Sequence, residues 1–354
     1  MCVHDMNHCK ANNFTSIQIT VQYFVILLIA LTFSACAPRP QDCARADVFC
    51  VGLITASGSI EDGINREAWL GLQDAKVENP VDRIDYIETI DSRDREQNIT
   101  FFAQRGYDVI ITVGSSIADE TISLANHNPK ILFIGVEQPQ PTKYSNLAGL
   151  IFHEERGGFL AGALAAMITQ TDHVAAVCEE KFIDPMRRYC DGFKEGVRFV
   201  DPKIKTDVVY RNGASENLFN DPDWGSATAL KFVSDGADVL FAAGGGTGDA
   251  ALESAANQGA AVIGAGTDAY TRLTNIRQQL VSSALNDTRL GVRDLMRLTR
   301  SGQFSPGEFF GQVELAPFHE WESRLPQAVK DQVLGISNGL NDGSVQTNVP
   351  YKSP

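Results

Sequence analysis

Val48–Thr55 reads VFCVGLIT, Arg66–Val77 reads REAWLGLQDAKV, Asp82–Ile87 reads DRIDYI, Asp94–Arg105 reads DREQNITFFAQR, and Asp108–Val113 reads DVIITV. The first, third and fifth of these are short apolar or alternating runs. The second and fourth are longer and carry apolar residues at helical spacing. This order predicts strand, helix, strand, helix, strand. Strands joined through helices run parallel, so the stretch is the start of a parallel sheet flanked by helices.

The rhythm continues through a helix at Ile117–Asn126 and strands at Ile131–Val136 and Leu147–Phe152, and it restarts after an apolar helix at Gly157–Ile168. A second set has strands at His173–Cys178, Thr206–Tyr210, Val239–Ala242 and Ala261–Ile263. Its helices lie near Met186–Phe199, Gly225–Ser234 and Gly248–Asn257. Two successive α/β lobes are implied. The Gly157–Ile168 helix is too short and too rich in glycine to span a membrane. It reads as a buried helix at the lobe junction, packed closely through Gly158, Ala161, Gly162, Ala165 and Ala166. Val281–Ser301 and Glu308–Pro317 supply a further strand, helix and strand, expected to return to the first lobe. The expected organisation is a signal at 1–35, an anchor linker at 36–46, an N-terminal lobe at 47–152 and a C-terminal lobe at 153–280. Crossover segments follow at 281–340, with a flexible tail at 341–354.

At the N-terminus, the nearly uncharged stretch Ile17–Phe33 follows Lys10 and ends at Ser34-Ala35-Cys36, the layout of an export signal. Cleavage before Cys36 would leave that cysteine as the first residue, with its thiol carrying diacylglycerol and its amine acylated. The chain would then hang from the outer face of the membrane. A plain signal peptide is the alternative, since Phe33 stands where leucine is usual. Of the seven cysteines, Cys2 and Cys9 fall in the signal and Cys36 is the anchor. Cys43, Cys50, Cys178 and Cys190 remain, an even number suited to an oxidising compartment. Four cysteines allow three connectivities, and the local pairs, Cys43 with Cys50 and Cys178 with Cys190, are preferred. Zinc is disfavoured, because no CxxC knuckle and no nearby histidine accompany them.

The formal net charge of -14 argues against nucleic acid and anionic lipid surfaces as partners. No Gly-x-Ser-x-Gly elbow and no His-Glu-x-x-His helix is present, and the six histidines are scattered. The chain therefore reads as a binding protein without a cofactor, not as an enzyme. Two parallel lobes place a cleft between the carboxyl ends of their sheets, where a ligand can bridge them and stabilise a closed form.

Gly52-Leu53-Ile54-Thr55 with Gly58, Ile60, Asp62-Gly63, Asn65 and Trp69-Leu70-Gly71 resembles the opening of the basic membrane protein family, whose purine nucleoside receptors are type I periplasmic binding proteins. Gly106-Tyr107-Asp108-Val109-Ile110, Glu154-Glu155-Arg156-Gly157-Gly158-Phe159-Leu160-Ala161-Gly162 and Asp191-Gly192-Phe193 are similar to further family segments. So are Phe219-Asn220-Asp221-Pro222 and the run Gly236–Gly248. The resemblance spans nearly the whole exported chain. It implies a two-lobed fold that captures a small polar, nucleoside-like ligand and delivers it to the permease of an ABC importer. A lipoprotein that senses another metabolite without transport is the alternative.

Carried over position by position, the resemblance marks Asn65, Trp69, Asp119, Phe219, Gly246, Thr247, Asp268 and Asn286 as ligand-site candidates. Several family groups are replaced: an acid by Ala56, a phenylalanine by Ile64, another by Ser115, an acid by Gly266 and a lysine by Asn286. Phe219 would stack on a base or anchor its loop. Asn65 would bind a ligand edge or cap the following helix. Asp119 would reach a ligand or complement a helix N-terminus. Trp69 would cover the ligand or pack in the core, and Asp268 would bind ligand or serve a turn. Gly244–Gly248 follows a strand and opens a helix but is neither GxGxxG nor a P-loop. It would allow close approach to a ligand hydroxyl or tight strand-to-helix packing.

Overall fold

Strand β1 (Cys50–Thr55) is buried along its whole length in the computed structural model, which describes residues 43–78, 83–140 and 144–351. Uninterrupted apolar sequence suits a central parallel strand, because helices cover both of its faces. In the first lobe, β1 is followed by α1 (Gly63–Glu78), β2 (Arg83–Ile87), α2 (Arg95–Gln104), β3 (Val109–Val113), α3 (Ala118–His127), β4 (Leu132–Val136) and β5 (Leu147–Ile151). Helix α4 (Glu154–Ile168) opens the second lobe. There follow β6 (His173–Cys178), α5 (Asp184–Val200), β7 (Lys205–Tyr210), α6 (Pro222–Ser234), β8 (Val239–Ala243), α7 (Gly245–Asn257), β9 (Ala261–Gly266), α8 (Ala269–Arg272) and β10 (Leu280–Asn286). The chain finishes with α9 (Thr288–Arg300), β11 (Gly307–Phe310), β12 (Val313–Leu315) and α10 (Gln327–Asp342).

Each lobe is a six-stranded sheet, ordered β11-β5-β4-β3-β1-β2 in the first and β12-β10-β9-β8-β6-β7 in the second. All pairings are parallel except β10 with β12. The strand order reverses between β1 and β3 and between β6 and β8, so each lobe has a switch point where the following loops diverge and open a crevice. Ala56 meets Gly114 at the first crevice, and Glu179 meets Gly244 at the second; a Cβ on either glycine would lie 3.0 Å from its neighbour.

The C-terminal segments differ from the sequence expectation. Strand β10 stays in the second sheet, paired with β9 through Ser283 and Gly264, and does not return to the first lobe. Only α9 and β11 return. Val292, Leu295 and Met296 of α9 enter the core of the first lobe, and β11 pairs with β5. β12 then crosses back to β10, and α10 packs Val333, Ile336 and Leu340 into the second core. Chain therefore passes between the lobes at 152–153, 287 and 311–312. The segment after α10, expected to be loose, is docked. Arg187 donates to the Pro350 carbonyl at 3.0 Å and Arg188 to that of Tyr351 at 3.0 Å, and the Tyr351 ring lies 4.4 Å from the Arg188 guanidinium. The ring also meets His153 and Phe310 beside two of the crossovers.

Both local disulfides are formed, Cys43–Cys50 and Cys178–Cys190, with Cα separations of 5.7 and 6.4 Å. The export signal and Cys36 lie outside the described residues. Among the described residues, no helix is long and apolar enough to cross a membrane.

Helix α4 begins at Glu154, one turn before the apolar run, because two carboxylates in its first turn complement the helix dipole. Its glycines then let α5 approach to backbone contact. A Cβ on Gly158 would lie 1.9 Å from the Tyr189 oxygen, and one on Gly162 would lie 2.0 Å from the Phe193 oxygen. Gly192 and Gly196 of α5 return the contact against Glu155 and Phe159 at 2.3 and 2.0 Å. Gly162→Ala is therefore expected to force the helices apart and cost at least about 2 kcal/mol in urea unfolding. Gly335→Ala, on an exposed face of α10 with nothing within 4 Å, should instead stabilise by roughly 0.5–1 kcal/mol. Equal effects at the two sites would refute the packing argument.

Candidate functional site

A cavity of about 500 Å³ lies between the lobes, walled by Glu61, Asp62, Gly63, Arg66 and Glu67 of the first and by Thr267, Asp268, Thr271 and Arg272 of the second, with Asn286, Asp287 and Glu314 between them; of the sequence candidates, Asp268 and Asn286 line it, and Asn65, Trp69, Asp119, Phe219, Gly246 and Thr247 do not. Its three arginines are already engaged. Arg66 pairs with Glu67 at 3.1 Å, Arg272 with Asp249 at 2.8 Å and Arg289 with Asp74 at 2.5 Å. Among the described residues, Glu61, Asp62 and Glu314 form no ion pair. Burial, and then the charge of Asp287, push the Glu314 carboxyl above the ordinary value. The wall thus offers acceptors to a donor-rich ligand and repels an anion.

On the first lobe, Thr55 ends β1 and ties two loops, donating to Gly58 O at 2.9 Å and accepting from Thr89 N at 3.1 Å. Asn65 sits within the first turn of α1, and its amide donates to the carbonyls of Ser57 and Ser59 at 2.9 and 3.2 Å. It braces the preceding loop and does not cap the helix. Arg95 crosses beneath, donating to the Ala56 carbonyl at 3.0 Å and to that of Ser116 at 2.6 Å. Ser115 and Asp119 are exposed at the loop after β3 and the first turn of α3. Trp69 packs edge-on to Tyr86, with ring centres 5.1 Å apart, at the margin of the first core. Ile64 belongs to the same cluster.

On the second lobe, the loop after β7 carries Phe219 to the start of α7. A Cβ on Gly245 would lie 3.1 Å from that of Phe219, and Gly246 lies beside Asn220. The Phe219 side chain is 37% exposed, so the ring is not simply a core anchor. Thr247 is buried, and its hydroxyl is used internally, donating to Glu179 at 3.1 Å and accepting from Asp221 N at 2.9 Å. Asp268 caps α8 through Tyr270 N at 3.0 Å and meets His319 Nε2 at 2.7 Å. Gly266 has φ +84°, a left-handed conformation that disfavours the acid seen there in the resembling family.

At the junction the structure surrounds the candidate Asn286 with buried polar residues that the sequence reading did not single out. Asn286, 5% exposed, accepts from the Tyr189 hydroxyl at 2.8 Å and hydrogen-bonds Glu137, whose carboxyl burial holds above the ordinary value. Behind Tyr189, Glu154 pairs with Arg188 at 2.5 Å. Burial raises Glu154 to about 7 against the opposing pull of Arg188, with Glu137 adding to the rise. In the second lobe, Arg211 is buried among Glu179, Glu180 and Asp221. The available signal was positional: Glu137, Glu179 and Arg211 are charged residues that immediately follow parallel strands.

A profile described as Bmp, ABC transporter substrate-binding protein PnrA-like, matches residues 49–310. The CD4+ T-cell-stimulating antigen of Listeria innocua is 26% identical over 356 residues, covering 93% of this chain and 97% of that protein. The ABC transporter nucleoside-binding protein BmpA of Lactococcus lactis is 25% identical over 331 residues, covering 87% and 90%. Among solved structures, an ABC transporter solute-binding protein from Conexibacter woesei matches with TM-score 0.70 at 18% identity, covering 86% of this chain and 99% of that one. Another, from Aeropyrum pernix, has TM-score 0.68 at 19% identity, covering 84% and 92%. At those identities the two structures speak for the fold alone, a two-lobed type I periplasmic binding fold.

The raised Glu154 has a consequence for stability. Its folded value of about 7 lies above the ordinary 4.5, so between those pH values the native state holds a proton that the unfolded chain releases. Stability from this group is greatest below that window and falls as pH rises through it. Denaturant unfolding across the window should show that decline, and Glu154→Gln should flatten it. An unchanged slope in the variant would mean that Glu154 is not the group responsible.

Proposed function

The chain belongs to the PnrA-like family of ABC transporter substrate-binding proteins, and on that premise we propose that it is an extracytoplasmic receptor lipoprotein, anchored through Cys36, that captures a nucleoside between its lobes and delivers it to an ABC permease. The observation that carries the ligand class is Phe219, a half-exposed ring beside Gly245 and Gly246 at the carboxyl end of the second sheet. A flat apolar face at that position suits stacking on a base. The nucleoside-binding relative from Lactococcus lactis supports the same reading.

The charge balance of the cavity narrows it further. Engaged arginines and uncompensated acids favour the hydroxyls of ribose and the amino groups of a base, and they disfavour a phosphate. Asn286, which lines the cavity, and the exposed Asp119 remain candidates for polar contacts. The second reading, a receptor for another small metabolite, draws on the internal use of Thr247 and Asp268, which leaves fewer groups for ribose.

Thermal unfolding of the soluble domain with inosine, guanosine, adenosine, free bases, sugars and amino acids tests the proposal. A nucleoside at a hundredfold its dissociation constant should add about 2.7 kcal/mol and raise the midpoint. The rise should fall by about half or more in Phe219→Ala and be absent with inosine monophosphate. A response confined to sugars or amino acids would sink the nucleoside assignment.

A further inference from the structure

Arg211, the residue after β7, is 2% exposed and heads the largest fully buried side chains among the described residues. It lies against three carboxylates: Asp221 at 3.0 Å, Glu180 at 3.2 Å and Glu179 at 3.3 Å. A single buried cation among two buried carboxylates and a partly exposed one is an expensive way to fill space, since desolvation offsets much of the attraction and apolar packing would serve a core as well. The arrangement is specified by what hangs from it.

The loop 212–221 is tied to this cluster along its length. Near its start, the guanidinium donates to Ala214 O at 2.9 Å, and Gly213 N donates to Glu180 at 3.1 Å. Near its end, Asp221 takes the guanidinium, caps α6 through Trp224 N at 3.3 Å, and donates its own amide to Thr247 at 2.9 Å. Between them, the second oxygen of Glu179 accepts the Phe219 amide at 2.9 Å and the Thr247 hydroxyl at 3.1 Å. Phe219 itself has φ +62°, in the left-handed region that a non-glycine residue enters only when its surroundings enforce it. Its ring joins none of the apolar clusters of the described residues. Core packing therefore does not account for the strained backbone; the buried charge cluster does.

We propose that Arg211 and Glu179 are positioning residues, which hold the strained Phe219 backbone so that its ring stands ready to stack on the ligand. This rests on the reading of Phe219 as the stacking ring. Glu179 follows β6, a fully buried strand paired on both sides at the switch point of the second lobe, so the cluster is anchored to the sheet and the ring needs little ordering when ligand arrives.

The test is a double-mutant cycle read alongside hydrogen exchange. Phe219→Ala should weaken binding of whichever of inosine, guanosine or adenosine binds by roughly tenfold or more. Arg211→Lys keeps a positive charge but loses the fork, and Glu179→Gln keeps the shape but weakens the acceptor. Each should weaken binding on its own, yet add nothing in the Phe219→Ala background, because both act through the ring. In the unliganded protein, both should also speed exchange across 212–221 while leaving the β6 and β8 amides protected. Additive binding losses, or unchanged exchange in 212–221 in both variants, would overturn the proposal. If the wild-type protein binds none of the three nucleosides, the ligand assignment fails separately, and the exchange result alone decides whether the cluster positions the loop.

Discussion

Backbone contact between α4 and α5 is the constraint on which the second lobe and the junction depend. Four glycines, Gly158, Gly162, Gly192 and Gly196, remove the side chains that would otherwise hold the helices apart. The approach brings Arg188 of α5 to Glu154 at the first turn of α4, where the chain has just left β5. It also sets Tyr189 against Asn286, which ends β10 at the second crossover. One helix pair thus fixes the buried polar groups from which the first two of the three crossovers depart.

Those groups matter because a two-lobed binding protein works by changing the angle between its lobes, and a ligand shifts that equilibrium only through contacts that differ between the open and closed forms. Asn286 lines the cavity and is bonded within the junction, so one residue is shared between the cavity wall and the junction. Tyr351, held by Arg188 and lying beside His153 and Phe310, brings the end of the described chain to the same place.

Much of the fold was legible from periodicity. The strands and helices up to Ile263 fall within a few residues of their predicted bounds, because short apolar runs and amphipathic stretches are local patterns. The disulfide partners were also legible, since each pair is close in sequence. The placement of β10 was not. Its sequence, LVSSALN, suits a buried strand in either sheet, and only pairing with Gly264 and its neighbours assigns it to the second. The tail was misread for a related reason: its composition is that of a loop, and its order comes from arginines more than 160 residues earlier.

The candidate site divides along the same line. The sequence by itself determined the two parallel lobes, the cleft between their carboxyl ends and the stretch carrying Phe219, because these follow from spacing and from resemblance at particular positions. Tertiary structure alone decided which side chains are free to meet a ligand. Asn65, Thr247 and Asp268 each have a hydrogen-bonding side chain suited to a ligand, yet each is engaged by groups of its own protein. Arg211 and Glu179 carry charges that a sequence would place at the surface, yet they lie beneath the loop they hold. The physical reason is that a polar group removed from water must find a partner, and which partner it finds depends on residues that only the folded chain brings within reach.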